Sequence, residues 1–145
     1  MSKLTRVDRG LNAIRRNVQM LGRGMTVRVG VMENAVAAQR AIYAEYGTKT
    51  APARPFMAVT ARKTRAAYKT FSGVLGARLM AGKISPQGAM AQAGRWYVNQ
   101  IKMTIESSPS WAAPNAPSTI AKKGSEHPLI ETGLLLTSIR WRQGR

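Results

Sequence analysis

The sequence predicts an α+β domain in which helix dominates. Three patterns carry that expectation: an amphipathic stripe at the start, an alternating apolar run after it, and two long helically spaced stretches that open on prolines. At 145 residues the chain reads as a single domain, 1–145, and its 44% of apolar residues suffice for one modest core.

Leu4, Val7, Leu11, Ile14, Val18 and Leu21 recur at steps of three and four. That spacing puts them on one side of a helix over 3–21, with Arg6, Arg9 and Arg16 opposite. Gly22 and Gly24 stop it. In TVRVGV, residues 26–31, Val27, Val29 and Val31 alternate with Thr26, Arg28 and Gly30, as a half-buried strand requires. Ala35 to Tyr46 reads as a short helix with Ala38, Ile42 and Tyr46 on one face, ended by Gly47.

The stretch AEYGTKTAPARPFM, residues 44–57, is held extended by Pro52 and Pro55, because a proline disfavours the α region for its predecessor. Pro55 can then occupy the first turn of a long helix. On it Phe56, Val59, Thr60, Ala67, Phe71 and Val74 form the inner face. Arg62, Arg65 and Lys69 form the outer one, and Lys63 snorkels from within the apolar arc. Gly73, Gly76 and Gly82 weaken the distal half. Ser85 and Pro86 are a cap and a first-turn proline, so a second long helix begins there. It turns Met90, Ala93, Tyr97, Ile101 and Thr104 inward and Arg95, Asn99 and Lys102 outward, and ends near Ser107.

Residues 107–128 carry Pro109, Pro114, Pro117 and Pro128. A loop of that length in a small domain is either functional or ordered by a partner. Ser118 is placed to cap a short turn through Lys122. PLIETGLLLTSIRW, residues 128–141, then reads as a turn at Thr132-Gly133, a leucine-rich turn and a final strand from Ser138.

Little here suggests catalysis. Without cysteine there is no thiolate chemistry and no cysteine-ligated zinc. His127 is the one histidine and reads as a solvated loop residue. The six acids, Asp8, Glu33, Glu45, Glu106, Glu126 and Glu131, never fall at i, i+3 or i+4, and no phosphate-cradling glycine motif is present. No enzyme activity, catalytic group, cofactor or metal is expected. MSKLTRVDRG lacks the apolar core of a signal peptide, and no stretch approaches the roughly 20 apolar residues of a membrane span. A cytoplasmic site of synthesis and no membrane partner are therefore expected.

Charge is the extreme feature: 23 basic against 6 acidic residues, a net +17. No acid occurs between Glu45 and Glu106, while ten bases lie from Lys49 to Lys102. Such a field attracts polyanions, whether DNA, RNA, anionic lipid or an acidic protein ring. Aromatics are scarce, at 6%, and Phe56, Phe71 and Tyr97 sit on apolar faces. Trp111, in the proline-rich loop, and Trp141, on the last strand, are the candidates for exposure. Either suits base stacking or a protein anchor, and the protein anchor is the better supported, since tryptophan is enriched at interfaces.

Four segments in order resemble a known family: TVRVGV (26–31), AEYGT (44–48) with ARPFM (53–57), the polar-faced helices, and PLIETGLLLTSI (128–139). Together they span roughly residues 25–140 and are similar to the tail-completion, or neck, proteins of tailed bacteriophages. Each motif is short; their order and spacing carry the likeness. The resemblance implies a small antiparallel sheet packed by one or two long amphipathic helices. It also implies a structural, non-catalytic role in the virion, assembled in the host bacterial cytoplasm: a homo-oligomeric ring, six-fold, at the head–tail junction, which completes the tail and lets it join the head. Neighbouring neck, connector and tail-tube or tail-terminator proteins would be its partners. Family members often continue past the last motif to complete a hairpin, whereas this chain stops at Arg145, so its last strand is expected at an edge or completed by a neighbour.

Under that resemblance Glu45, Tyr46, Gly47, Thr48, Arg54, Pro55 and Phe56 form a stiff docking loop. Glu45 pairs with Arg54 or with a neighbour's arginine, and Phe56 tucks under the helix start. The competing reading is a well-built helix entry. Leu134, Leu135 and Leu136 are too many to bury on one helical face, so one of them meets another chain or the core is crowded. Arg62, Arg65, Lys69, Arg95 and Lys102 seat against acidic rims or touch DNA phosphates in a channel. The alternative function is a basic nucleic-acid-binding or packaging protein.

Overall fold

The computed structural model describes residues 10–144. They form α1 (Leu11–Leu21), β1 (Thr26–Val31), α2 (Ala35–Tyr46), α3 (Phe56–Met80), α4 (Pro86–Glu106), α5 (Pro117–Lys123), α6 (Leu134–Ser138) and β2 (Ile139–Gly144), with a 3-10 turn at Ser108–Ser110. This is the expected α+β class: β1 and β2 pair as a two-stranded antiparallel sheet, and the long helices pack against it. Val29 faces Trp141 across the ladder, Val31 faces Ile139, and Arg28 faces Arg142. Alternation turns the valines, Ile139 and Trp141 toward α4 and leaves Arg28, Gly30, Arg140 and Arg142 on the outer face.

The central cluster is Phe56, Ile101, Ile105, Leu135 and Ile139, where the start of α3, the second half of α4, α6 and β2 meet. α4 crosses the sheet closely. A Cβ at Gly94 would lie 2.5 Å from a Trp141 ring carbon, so only glycine lets the indole rest on the helix backbone. The start of α4 is as expected: Ser85 Oγ accepts the Gly88 N–H at 3.1 Å, and Pro86 fills the first turn.

Three inner faces differ from expectation. On α1 the apolar stripe points outward: Leu11 is 62% and Val18 51% exposed. The buried residue is Asn17, whose Nδ2 donates to the carbonyls of Leu79 and Ile84, each at 3.1 Å. α1 is thus docked through a polar anchor on the turn between α3 and α4. The part of the expected helix at 3–9, with Leu4, Val7, Arg6, Arg9 and Asp8, lies outside the described residues.

On α2 the inner residues are Ala37, Ala41 and Ala44, while Ile42 and Tyr46 are 56% and 80% exposed. On α3 the proximal face is right, but the distal face runs through Thr64, Leu75 and Leu79, and Ala67 and Val74 are exposed. The expected stripe slipped by one residue, about 100° of rotation. Buried Thr64 is the inner residue the apolar pattern missed; like Thr60, it satisfies its hydroxyl on the carbonyl four residues back, Thr60 on Phe56 at 2.7 Å and Thr64 on Thr60 at 2.8 Å. The glycines do not interrupt α3, which runs to Met80.

Trp96, given no role from sequence, stacks on Phe71 (centroids 5.3 Å apart, 12° between planes) and contacts Tyr68 and Tyr97. α5 begins at Pro117 without a side-chain cap, so Ser118 is already inside the helix. Among the described residues no helix is long and apolar enough to cross a membrane.

Candidate functional site

The stretch 44–57 is an internal latch. Pro55 stands at the N-cap of α3 and offers no capping side chain. The free N–H groups of the first turn are served from α2 instead: Glu45 Oε2 accepts from Met57 N–H at 2.9 Å, and Oε1 from Ala58 N–H at 3.0 Å. A carboxylate at a helix N-terminus also meets the positive end of the helix dipole.

Between these helices the chain reverses at Gly47, with φ +74° and ψ −179°, a region that is essentially glycine's alone. A Cβ there would sit 2.9 Å from Ala53 N and 3.1 Å from Ala51 O. Thr48 closes the turn: its Oγ1 accepts from Ala51 N–H at 3.0 Å and its N–H donates to Ala51 O at 2.9 Å. Arg54 N–H then donates to Ala44 O at 2.6 Å and ties the loop back to α2.

The Arg54 guanidinium donates to three carbonyls: Nε to Ala113 at 2.7 Å, Nη2 to Pro114 at 2.9 Å and Nη1 to Pro128 at 3.1 Å. Burial lowers its pKa from the ordinary arginine value, a desolvation cost that the carbonyls offset. Through Arg54 and Pro128 the two motifs of the resemblance, 44–57 and 128–139, touch. Between them lies an open cavity of about 300 Å³, lined among others by Arg40, Thr48, Arg54, Lys123 and Glu131. Glu131 pairs there with Arg40 at 3.3 Å and Lys123 at 4.0 Å.

Several expected placements change. Glu45 spends its oxygens on backbone N–H groups and Arg54 its donors on carbonyls, so the two do not pair with each other. Phe56 is 1% exposed and central in the core, as a tucked residue should be. Of the loop, Tyr46 and Thr48 are exposed and Pro55 is half-buried.

Neither Trp111 nor Trp141 stands out from the surface. Trp111 is half-buried, donates Nε1–H to Thr104 O at 3.0 Å, and carries the Lys63 ammonium 5.9 Å above its ring. Trp141 lies on Gly94. Leu135 belongs to the core cluster, and Leu134 and Leu136 are half-buried. Arg62, Arg65, Lys69 and Arg95 are exposed and Lys102 is half-buried.

His127 is a brace and not a solvated residue. Ile130 N–H donates to its Nδ1 at 3.2 Å, so the ring proton is on Nε2, 3.0 Å from Glu106 O. It holds the 107–128 segment to the end of α4, a role no one-residue signal could reveal. Among the described residues no three histidines or acids gather as a metal site would require. No family model, curated protein or solved structure matches the chain.

Proposed function

We propose that this chain is a structural component of a tailed-phage particle. It forms a ring, six-fold, at the neck or top of the tail, completes the tail and lets it join the head. The observation that carries the reading is the contact between its two resembling motifs: Arg54 of ARPFM donates to Pro128 of PLIETG at 3.1 Å. Segments 74 residues apart that are similar to one family's pattern thus meet in a single built unit. Beside that unit α2 offers Val36, Ile42, Tyr43 and Tyr46, each at least half exposed, as an apolar surface for a neighbouring subunit.

The charge of +17 serves association with acidic rims above or below, through Arg62, Arg65 and Lys69 among others. The same charge is what supports the second reading, a nucleic-acid-binding or packaging protein. The deciding experiment is electron microscopy of particles assembled without this protein. Filled heads and finished tails that stay apart are expected. Normally joined, infectious particles would overturn the proposal, and empty heads would favour the packaging role.

A further inference from the structure

Arg95, Asn99 and Lys102 follow at steps of four and three on α4, so they share one face and span about 10 Å along its axis. β2 runs beside that face and adds Arg140. These residues line a groove of about 270 Å³ over Val98, Ile139 and Trp141. Among the described residues no ion pair engages Arg95, Lys102 or Arg140. Arg140 also belongs to the outer face of the sheet, with Arg142 and its cross-strand partner Arg28. Like charges directly opposite each other weaken a sheet, and here Glu33, 3.2 Å from Arg142, is the acid that offsets them. Opposite Arg140 stands Gly30, beside which a Cβ would meet nothing within 4 Å, so the backbone there is open to close approach.

We propose that this groove and the adjoining arginine face hold the phosphodiester backbone of duplex DNA without reading its bases. A protein partner would need apolar anchors, and the exposed large apolar residues lie outside the groove's lining: Leu11 and Val18 on α1, Ile42 and Tyr46 on α2, and Met103 further along α4. None of them lines this groove. A phosphate track needs only cations and room. Trp141, the groove's aromatic, is half-buried with its ring laid on Gly94. DNA binding here does not require the ring, so wild-type protein that assembles yet does not bind DNA counts against the phosphate track alone.

The test is fluorescence anisotropy with a random-sequence duplex over a salt series. Wild type is compared with a triple variant, Arg95→Ala, Lys102→Ala and Arg140→Ala, and with a charge-matched control, Arg62→Ala, Arg65→Ala and Lys69→Ala. The groove triple is expected to reduce the slope of log affinity against log salt by about 2.7, roughly 0.9 for each phosphate left without its cation. The control triple should change it by less than about one unit, and A·T-rich and G·C-rich duplexes should bind alike. Should the groove triple misfold, protection of Lys102 but not Lys69 from amine acetylation by bound duplex serves on the wild-type protein. Equal losses in both triples, or no protection of Lys102, overturn the proposal. So does wild type that ignores DNA at physiological salt yet binds polyglutamate, which points to an acidic protein instead.

Discussion

Arg54→Ala removes three charge-assisted bonds at 2.7, 2.9 and 3.1 Å from the carbonyls of Ala113, Pro114 and Pro128. Hydrogen bonds to a charged group contribute about 1.5–3 kcal/mol each when protected from water. Two of these are half-buried and the bond to Pro114 is exposed, so each of the first two contributes about 1.5 kcal/mol and the third little. The expected loss is about 3 kcal/mol, roughly a hundredfold in the folding constant. With a urea dependence of about 1.5 kcal/mol per molar, the midpoint falls by about 2 M at unchanged slope. Arg54→Lys should recover no more than about a third, because an ammonium cannot reproduce the planar fork of donors. Hydrogen exchange localises the effect: amides of 111–130 should lose protection before those of α4. A midpoint shift under about 0.5 M, or unchanged exchange in 111–130, would refute the reasoning that one guanidinium organises the proline-rich segment.

The other expectations use different parts of the fold. Gly94→Ala places a methyl within the Trp141 ring and should cost about 2–4 kcal/mol by thermal unfolding, with an altered near-ultraviolet tryptophan signal; a silent variant would mean α4 and β2 do not cross so closely. Asn17→Ala should cost about 1–2 kcal/mol, and limited proteolysis should then release α1 first. Leu135→Asp puts a charge into the core and should fail to fold, whereas Tyr46→Asp, at a residue 80% exposed, should fold normally and lose self-association in sedimentation; a folded Leu135→Asp protein or an unaffected Tyr46→Asp ring contradicts that division.

Residues whose environment is local were legible in the sequence. The valine alternation of β1, the Ser85-Pro86 start of α4 and the stop at Gly47 each depend on neighbours a few positions away, and each is where it was expected. The facing of helices was less legible, because it depends on what lies across the gap. α2 turns Ala37, Ala41 and Ala44 inward and leaves Ile42 out, and α1 buries Asn17, whose amide reaches two carbonyls. Trp111 and Trp141 looked exposed because they sit in segments with little apolar company, yet α4 supplies the missing surface through Thr104 and Gly94. At the candidate site the Glu45–Arg54 pairing does not form. Glu45 and Arg54 are opposite charges nine positions apart, and backbone groups outcompete that pairing at both ends.

The latch changes what a docking surface on this chain can be. Pro55 forfeits its own cap, Glu45 supplies one from α2, Gly47 reverses the chain between them, and Arg54 fastens the result to Pro128. Each device joins α2 to something rigid, and each consumes its own polar groups within the chain. Glu45 and Arg54 set the position of α2, and Ile42 and Tyr46, 56% and 80% exposed, are what it presents. An aromatic on a braced helix loses little freedom on meeting a partner, so under the proposed function the internal bonds would favour association without touching another chain. Substituting Glu45 or Arg54 thus tests the scaffold, and only the outward face of α2 tests the contact.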